Sequence, residues 1–270
     1  NKFHDKVAKY LEAIDNIEIA FEVVKNPEMK FEYALKLEKV DEAHQIAIES
    51  GSKNSLKAIG DLCLLKGEFA KAEHSFKLAE DLSSLLLLYS SLGDGEGIKW
   101  LAETAVEKKA YTVGFNSYWL LRNLDKCVEI LLLTKNFPEA AFFAKTYCPS
   151  HISKIVQLWK ESLLKSHPVV SGIIADPMEY DNDEQFAPLF LAQKVESLIK
   201  EQLKADVPAH HYLAFQKQLE VDLVTLAKES SLDAVKEFVQ NSLGKIKAQG
   251  AADQPPTKEE LALAQDYAGD

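Results

Sequence analysis

Glycine and proline are scarce in this chain. Its 270 residues include 11 glycines and 9 prolines, and Pro27 is the only proline before Pro138. Leu, Ala, Glu and Lys dominate instead, and runs that alternate apolar and polar residues, as half-buried strands do, are missing. The absence of strand signals and the scarcity of turn residues predict an all-α fold.

Cysteine is scarce as well. The three cysteines, Cys63, Cys127 and Cys148, are odd in number and widely spaced, which argues against a disulfide framework and favours a reducing, cytoplasmic compartment. The first residues, Asn1 to Asp5, include no apolar run, so we expect no secretory signal. The missing initiator Met indicates a piece of a longer protein.

Long uncharged runs are also missing. The longest, 82–93 and 110–121, have 12 residues each, whereas a membrane-spanning helix needs roughly 18 apolar residues, so we predict no span. The 31 Lys and Arg residues are outnumbered by 42 Asp and Glu residues, which gives a net charge of −11. Because like charges repel, this excess argues against non-specific binding to nucleic acid or anionic lipid.

A helix-turn-helix unit recurs along the chain. Its turn positions are Val40, Phe69, Gly95, Leu124 and Phe137. The intervals between them are 29, 26, 29 and 13 residues, and the last is about half a repeat. Two helices cannot bury an apolar face alone and must stack on neighbouring units. We therefore predict an irregular tetratricopeptide-like α-solenoid of stacked helix pairs.

The second unit carries the tetratricopeptide pattern most clearly. Gly67 provides the turn, Phe69 fills the groove, and Phe76 is the knob between helices. Ala72 and Ala79 permit close approach of the helices. The repeat interval is nevertheless shorter than the roughly 34 residues of a regular tetratricopeptide, which favours packing against specific partners over one uniform peptide groove.

Composition divides the chain into four segments. Residues 1–165 form the predicted solenoid, 166–184 an acidic connector, 185–248 further helices, and 249–270 a partly ordered tail. The connector lacks Lys and Arg and contains five carboxylates, Asp176, Glu179, Asp181, Asp183 and Glu184.

No motif with a recognisable chemistry occurs. Cys148 and His151 have the spacing of metal ligands, but a structural zinc site takes four, and no second pair lies at a matching spacing. The adjacent His210 and His211 would point in different directions on a helix. The glycine-rich stretch 93–97 lacks the Lys-Ser/Thr ending of a phosphate loop. We predict no catalytic, cofactor-binding or metal-binding residue, no cofactor, no small-molecule substrate and no enzymatic activity.

Aromatic residues are concentrated between 111 and 159. Spacings of four and three along Tyr111, Phe115 and Tyr118 predict packing inside the solenoid for most of these rings. Trp and Tyr are also enriched in protein interfaces. The residues that we predict as a partner interface are Tyr118, Trp119, Phe143, Tyr147 and Trp159.

Five stretches together resemble a known family. They are 31–37 (FEYALKL), 85–88 (LLLL), 141–147 (AFFAKTY), 155–160 (IVQLWK) and 175–180 (ADPMEY). In this order they are similar to the C-terminal solenoid of the β′-COP family of coatomer subunits. The similarity extends over about 7–180, and the related α-COP subunits have a similar architecture.

The resemblance implies a structural subunit of the COPI vesicle coat, which serves Golgi-to-ER retrograde and intra-Golgi transport. It implies that the chain joins the α-COP solenoid and other coatomer subunits through protein-protein contacts. Association with Golgi membranes and COPI vesicles would be peripheral and indirect, through the coat. In this family two WD-repeat propellers, which this sequence does not contain, recognise cargo.

Two alternatives of other classes stay open. A tetratricopeptide-like adaptor would bind a linear peptide of another protein, and it requires a row of exposed Lys, Arg and Asn on its concave face. A helical enzyme would bring distant residues with perturbed pKa values together in one pocket.

Overall fold

The protein is all-α throughout the part of the chain that the structure describes. This computed structural model describes residues 2–180, 183–202 and 220–229, together with positions 233, 234, 237 and 241. Within these ranges helices alternate with short turns and no strand occurs, which confirms the predicted fold class. None of the described helices is both long and apolar enough to cross a bilayer. The chain divides into two compact units between residues 88 and 89.

The first unit consists of helical hairpins. Helix α1 packs on α2, α3 on α4, and α5 on α6. Their bounds are α1 Lys2–Ala13, α2 Ile17–Val23, α3 Pro27–Lys36, α4 Val40–Ser50, α5 Lys53–Leu65 and α6 Phe69–Ala79. Helix α7, Leu82–Leu92, contains the boundary between the units.

The second unit continues with helices that pack on their neighbours in sequence, from α8 on α9 to α12 on α13. Its helices are α8 Gly95–Glu107, α9 Tyr111–Leu120, α10 Leu124–Leu133, α11 Phe137–Tyr147, α12 Ile152–Leu164, α13 Pro168–Ile173, α14 Ala187–Gln202 and α15 Leu223–Glu229. Short 3-10 helices occupy Pro149–His151 and Pro177–Glu179. Helix α14 packs on α15.

The predicted turn positions mark helix starts. Val40, Phe69, Gly95, Leu124 and Phe137 are the first residues of α4, α6, α8, α10 and α11. The interval of 13 residues corresponds to α10 and α11, which are consecutive helices. The repeat register read from the sequence is therefore correct, and the fold is the tetratricopeptide-like stack of helix pairs that it predicts.

A residue with left-handed backbone conformation lies in the turn between many neighbouring helices. Glu38, Gly67, Lys109, Arg122 and Lys135 have φ between 56° and 78°, and in each case the next helix begins two residues later. Only glycine adopts this conformation without a steric cost, which for other residues is roughly 1–2 kcal/mol. At the four non-glycine positions the rest of the fold therefore has to offset this steric cost, whereas Gly67 adopts the conformation freely.

The hairpin of α5 and α6 packs as the tetratricopeptide pattern predicts. The ring of Phe76 is fully buried, and it lies against the backbone of Gly60 on the facing helix. A Cβ atom added at Gly60 would lie 2.6 Å from Cε1 of Phe76. Ala72 is also fully buried. Small residues on one helix therefore admit the large ring of the other.

Part of the segmentation read from the sequence falls on described residues. The acidic connector, 166–184, includes helix α13 and the 3-10 helix Pro177–Glu179. His210 and His211 and the predicted tail, 249–270, lie outside the described residues.

Candidate functional site

Four aromatic rings of α9 and α11 form one cluster in the second unit. Phe115 and Trp119 are four residues apart on α9, and Phe143 and Tyr147 are four residues apart on α11, so each pair lies on one helix face. The Phe143 ring centroid lies 5.6 Å from that of Phe115, 5.7 Å from that of Trp119 and 5.1 Å from that of Tyr147. Trp119 and Tyr147 are 5.0 Å apart. We call these four residues the aromatic cluster.

A guanidinium group covers the edge of this cluster. The Arg122 Cζ atom lies 5.2 Å from the Trp119 ring centroid and 5.6 Å from that of Tyr147, both within cation-π range. Arg122 lies in the turn between α9 and α10, where it has a left-handed φ of 59°. Trp, Tyr and Arg are the residue types most enriched among the residues that dominate binding energy in protein interfaces.

The aromatic cluster lies at the edge of the core. All four of its rings are half-buried, and Trp119 and Phe143 pack against the outside of the core that includes Ala140, Ala144 and Ile155. The predicted packing of aromatic rings between helices is thus borne out for this cluster, although none of its four rings is fully buried. Their helical spacing places them at the edge of the core because the small residues Ala140 and Ala144 occupy the inner face of α11.

The structure brings three of the five predicted interface residues together, Trp119, Phe143 and Tyr147. Tyr118 is half-buried, and burial raises the pKa of its hydroxyl. Trp159 is also half-buried and lies on α12, where it lines a separate groove.

This groove lies between α11, α12, α14 and α15 and has a volume of about 270 Å³. We refer to it as the α11–α15 groove. Its described lining is mostly apolar, and its residues are Ala141, Phe142, Lys145, Ile152, Val156, Trp159, Pro177, Gln185, Phe186, Leu189, Val224 and Lys228.

Phe142 is the most conspicuous residue that the sequence analysis missed. Its side chain is 69% exposed and lines the α11–α15 groove. A signal for this was present, because Ala140 and Ala144 mark the buried face of α11 and Phe142 lies two residues from each. Two residues correspond to about 200° around a helix, so Phe142 has to point away from the core.

A buried carboxylate fixes the position of α14, one wall of the groove. Glu196 is 4% exposed and accepts hydrogen bonds from the backbone N–H of Ser150 at 2.8 Å and from its hydroxyl at 2.6 Å. Its ion pair with Lys200 spans 2.9 Å, and Lys200 also donates to Asp125 at 3.1 Å. Burial by itself would lower the pKa of Lys200, but the hydrogen bonds to Glu196 and Asp125 outweigh it and raise that pKa.

The cysteines are buried and poorly suited to chemistry. Burial raises the pKa of Cys63 to about 11 and those of Cys127 and Cys148 to about 12, so each thiol is protonated at neutral pH. A protonated thiol is a poor nucleophile. Within the described ranges no group of three or more His, Cys, Asp or Glu side chains could hold a metal ion.

Comparison with known proteins places these features in a family. The family described as "COPA/B TPR domain" matches residues 1–160. Coatomer subunit beta'-2 of Arabidopsis thaliana is 39% identical over 210 residues, 77% of this chain and 23% of that protein. Coatomer subunit beta' of Rattus norvegicus is 38% identical over 208 residues, 77% of this chain and 23% of that protein. The chain thus spans about a quarter of the length of these relatives.

Proposed function

The chain belongs to the COPA/B TPR domain family, and from this membership we propose that it is a structural part of the COPI vesicle coat. Its relatives are β′ subunits of coatomer. The β′ subunit is a structural part of the coat and not an enzyme. The sequence-based prediction of a non-enzymatic coatomer β′ relative is thereby confirmed. The role that we propose is in Golgi-to-ER retrograde and intra-Golgi transport.

We further propose that the chain joins the solenoid of α-COP through the aromatic cluster and Arg122. The support for this contact is the geometry of the cluster: four half-buried rings in mutual contact with a guanidinium group over two of them. Such rings are rigid and lose little conformational entropy on binding, so they contribute much of the energy of an interface. Helix-pair stacking supplies the firm support that a scaffold needs.

The proposed location is the cytoplasm, with peripheral and indirect attachment to Golgi membranes and COPI vesicles through other coatomer subunits. A net charge of −11 supports this, because an acidic surface is repelled by anionic lipid. The same charge argues against nucleic acid as a partner.

A binding experiment tests the contact with α-COP. The chain would be titrated against the isolated α-COP solenoid by calorimetry, and the mass of the complex measured by light scattering. Tyr147→Ala should weaken binding at least tenfold, because it removes a ring that contacts both Trp119 and Phe143. Phe142→Ala is the matched control, because it removes an exposed ring from the same helix outside the cluster, and it should bind as the parent does.

Circular dichroism would establish that both variants keep their helix content. A folded parent chain that does not bind α-COP would contradict the proposed contact. Equal binding by the parent and Tyr147→Ala, with a loss in Phe142→Ala, would transfer the contact to the α11–α15 groove.

A further inference from the structure

The α11–α15 groove exposes apolar surface that the coat contact proposed above does not use. Phe142, 69% exposed, forms one side of it, and Trp159 and Phe186, both half-buried, line it as well. An exposed aromatic ring beside other apolar side chains leaves apolar area in contact with water, and covering that area is favourable. Contiguous apolar surface of this kind marks interaction sites in folded proteins.

The charged side chains in the described lining of the groove have the opposite sign to the net charge of the chain. The charged residues among its described lining are Lys145 and Lys228, and both side chains are exposed. No carboxylate occurs in that described lining, and neither lysine forms an ion pair with another described residue. In a chain with a net charge of −11, both charged side chains of the groove's described lining are therefore positive, and they border an apolar floor.

The size of the groove limits what it holds. Its volume of about 270 Å³ lies just below the range of roughly 300–1,000 Å³ of sites for drug-sized ligands. It accommodates one or two apolar side chains, such as those presented by residues i and i+3 or i+4 of a short helix. Acidic residues beside those anchors would then face the two lysines.

We propose that the α11–α15 groove docks a short amphipathic segment of another protein, with one or two apolar anchors flanked by Asp or Glu. The concave shape suits inserted side chains better than a flat bilayer. This site is separate from the aromatic cluster, so it holds whether or not the contact with α-COP is correct.

The test uses the whole chain and a displayed library of random 16-residue peptides. Selection on the parent, with counter-selection on Phe142→Ala, should enrich sequences that contain apolar residues at helical spacing and an excess of Asp and Glu. A selected peptide, labelled with a fluorophore, should lose at least tenfold in affinity for Phe142→Ala in anisotropy titrations. Leu164→Ala removes an exposed side chain outside the groove and is the control, with unchanged affinity expected.

Charge reversal tests the electrostatic part. The double variant Lys145→Glu, Lys228→Glu should weaken the selected acidic peptide about tenfold and reduce the salt dependence of its affinity. Lys154→Glu, a substitution at an exposed position of α12 outside the groove lining, should change the affinity for this peptide less than twofold. All three positions are exposed, and circular dichroism would verify that the variants fold.

Several results would overturn the proposal. These are a selection that enriches no groove-dependent peptide, enrichment of basic peptides, and equal affinity of the parent and the double lysine variant. A concentration-dependent dimer in light scattering that Phe142→Ala abolishes would assign the groove to a second copy of the chain. Groove-dependent sedimentation with vesicles of anionic phospholipid, without peptide binding, would assign it to a membrane.

Discussion

Replacing Gly60 by alanine tests how tightly the hairpin of α5 and α6 is packed. Gly60 lies inside α5, where alanine is the better helix former by about 1 kcal/mol. An added Cβ atom would, however, lie 2.6, 2.8 and 3.1 Å from three atoms of the Phe76 ring. Phe76 is fully buried, so its ring cannot escape the added atom by turning into solvent.

These two effects have opposite signs, and the steric effect should be the larger. Overpacking a well-packed core costs typically about 1–3 kcal/mol, and contacts below 3 Å with a rigid, enclosed ring belong in the upper part of that range. Subtracting the gain in helix propensity leaves a net loss of about 1–2 kcal/mol in the free energy of unfolding.

Urea unfolding followed by circular dichroism measures this loss. Gly172→Ala is the matched control, because Gly172 lies within helix α13 and a Cβ atom there meets nothing within 4 Å. This control should gain up to about 1 kcal/mol from helix propensity alone. The sign of the change should therefore differ between the two glycines.

A double-mutant cycle identifies the ring as the cause. Gly60→Ala should be less damaging when Phe76 is also replaced by leucine, with an interaction energy of about 1 kcal/mol or more. The packing argument would be refuted if Gly60→Ala were as stabilising as Gly172→Ala, or if the two substitutions at α5 and α6 were additive.

Three further predictions concern electrostatics, turns and thiols. Glu196→Gln should lower the free energy of unfolding in urea by about 1–3 kcal/mol, because it removes a buried charge from its partners. The control Glu129→Gln, at an exposed position, should change that free energy by less than about 0.5 kcal/mol. Equal effects of the two substitutions would contradict the role of the buried carboxylate. Lys135→Gly should raise the free energy of unfolding by about 0.5–1 kcal/mol, because glycine adopts the φ of 59° without steric strain. A lower free energy of unfolding would contradict this reasoning. Cys127 and Cys148 should not react with a disulfide reagent at pH 8 until the protein unfolds. Their pKa is raised from 9.0 to about 12 in the folded protein, so the unfolded chain loses these protons first and the free energy of unfolding should fall as the pH increases from 9 towards 12. Rapid labelling of the folded protein would contradict the first of these expectations, and a free energy of unfolding that does not change between pH 9 and 12 would contradict the second.

The repeat register was predictable because its signals are local. Apolar or small residues at the turns, such as Val40, Phe69 and Leu124, identify the first residue of a helix without reference to the rest of the chain. The pairing of rings on the same helix was also predictable from the sequence, since Phe143 and Tyr147 are four residues apart. Sequence spacing did not reveal that α9 and α11, separated by α10, bring their rings together.

The position of α14 could not be predicted from local patterns. Glu196 contacts Ser150, which is 46 residues away, and Lys200 contacts Asp125, which is 75 residues away. Neither pair follows a spacing rule, because the intervening chain can return by many routes. A carboxylate that is buried only through such contacts reads as a surface residue in the sequence.

These distant contacts bear on the order in which the second unit folds. Hairpins between neighbouring helices close short loops and can form early, whereas docking of α14 has to close loops of 46 and 75 residues at a greater entropic cost. We therefore expect α14 and α15, which packs on both α14 and α11, to dock late and to detach before α11 and α12, with faster amide hydrogen exchange than either. Since Leu189 of α14 and Val224 of α15 line the α11–α15 groove, the groove would exist only after both helices have docked.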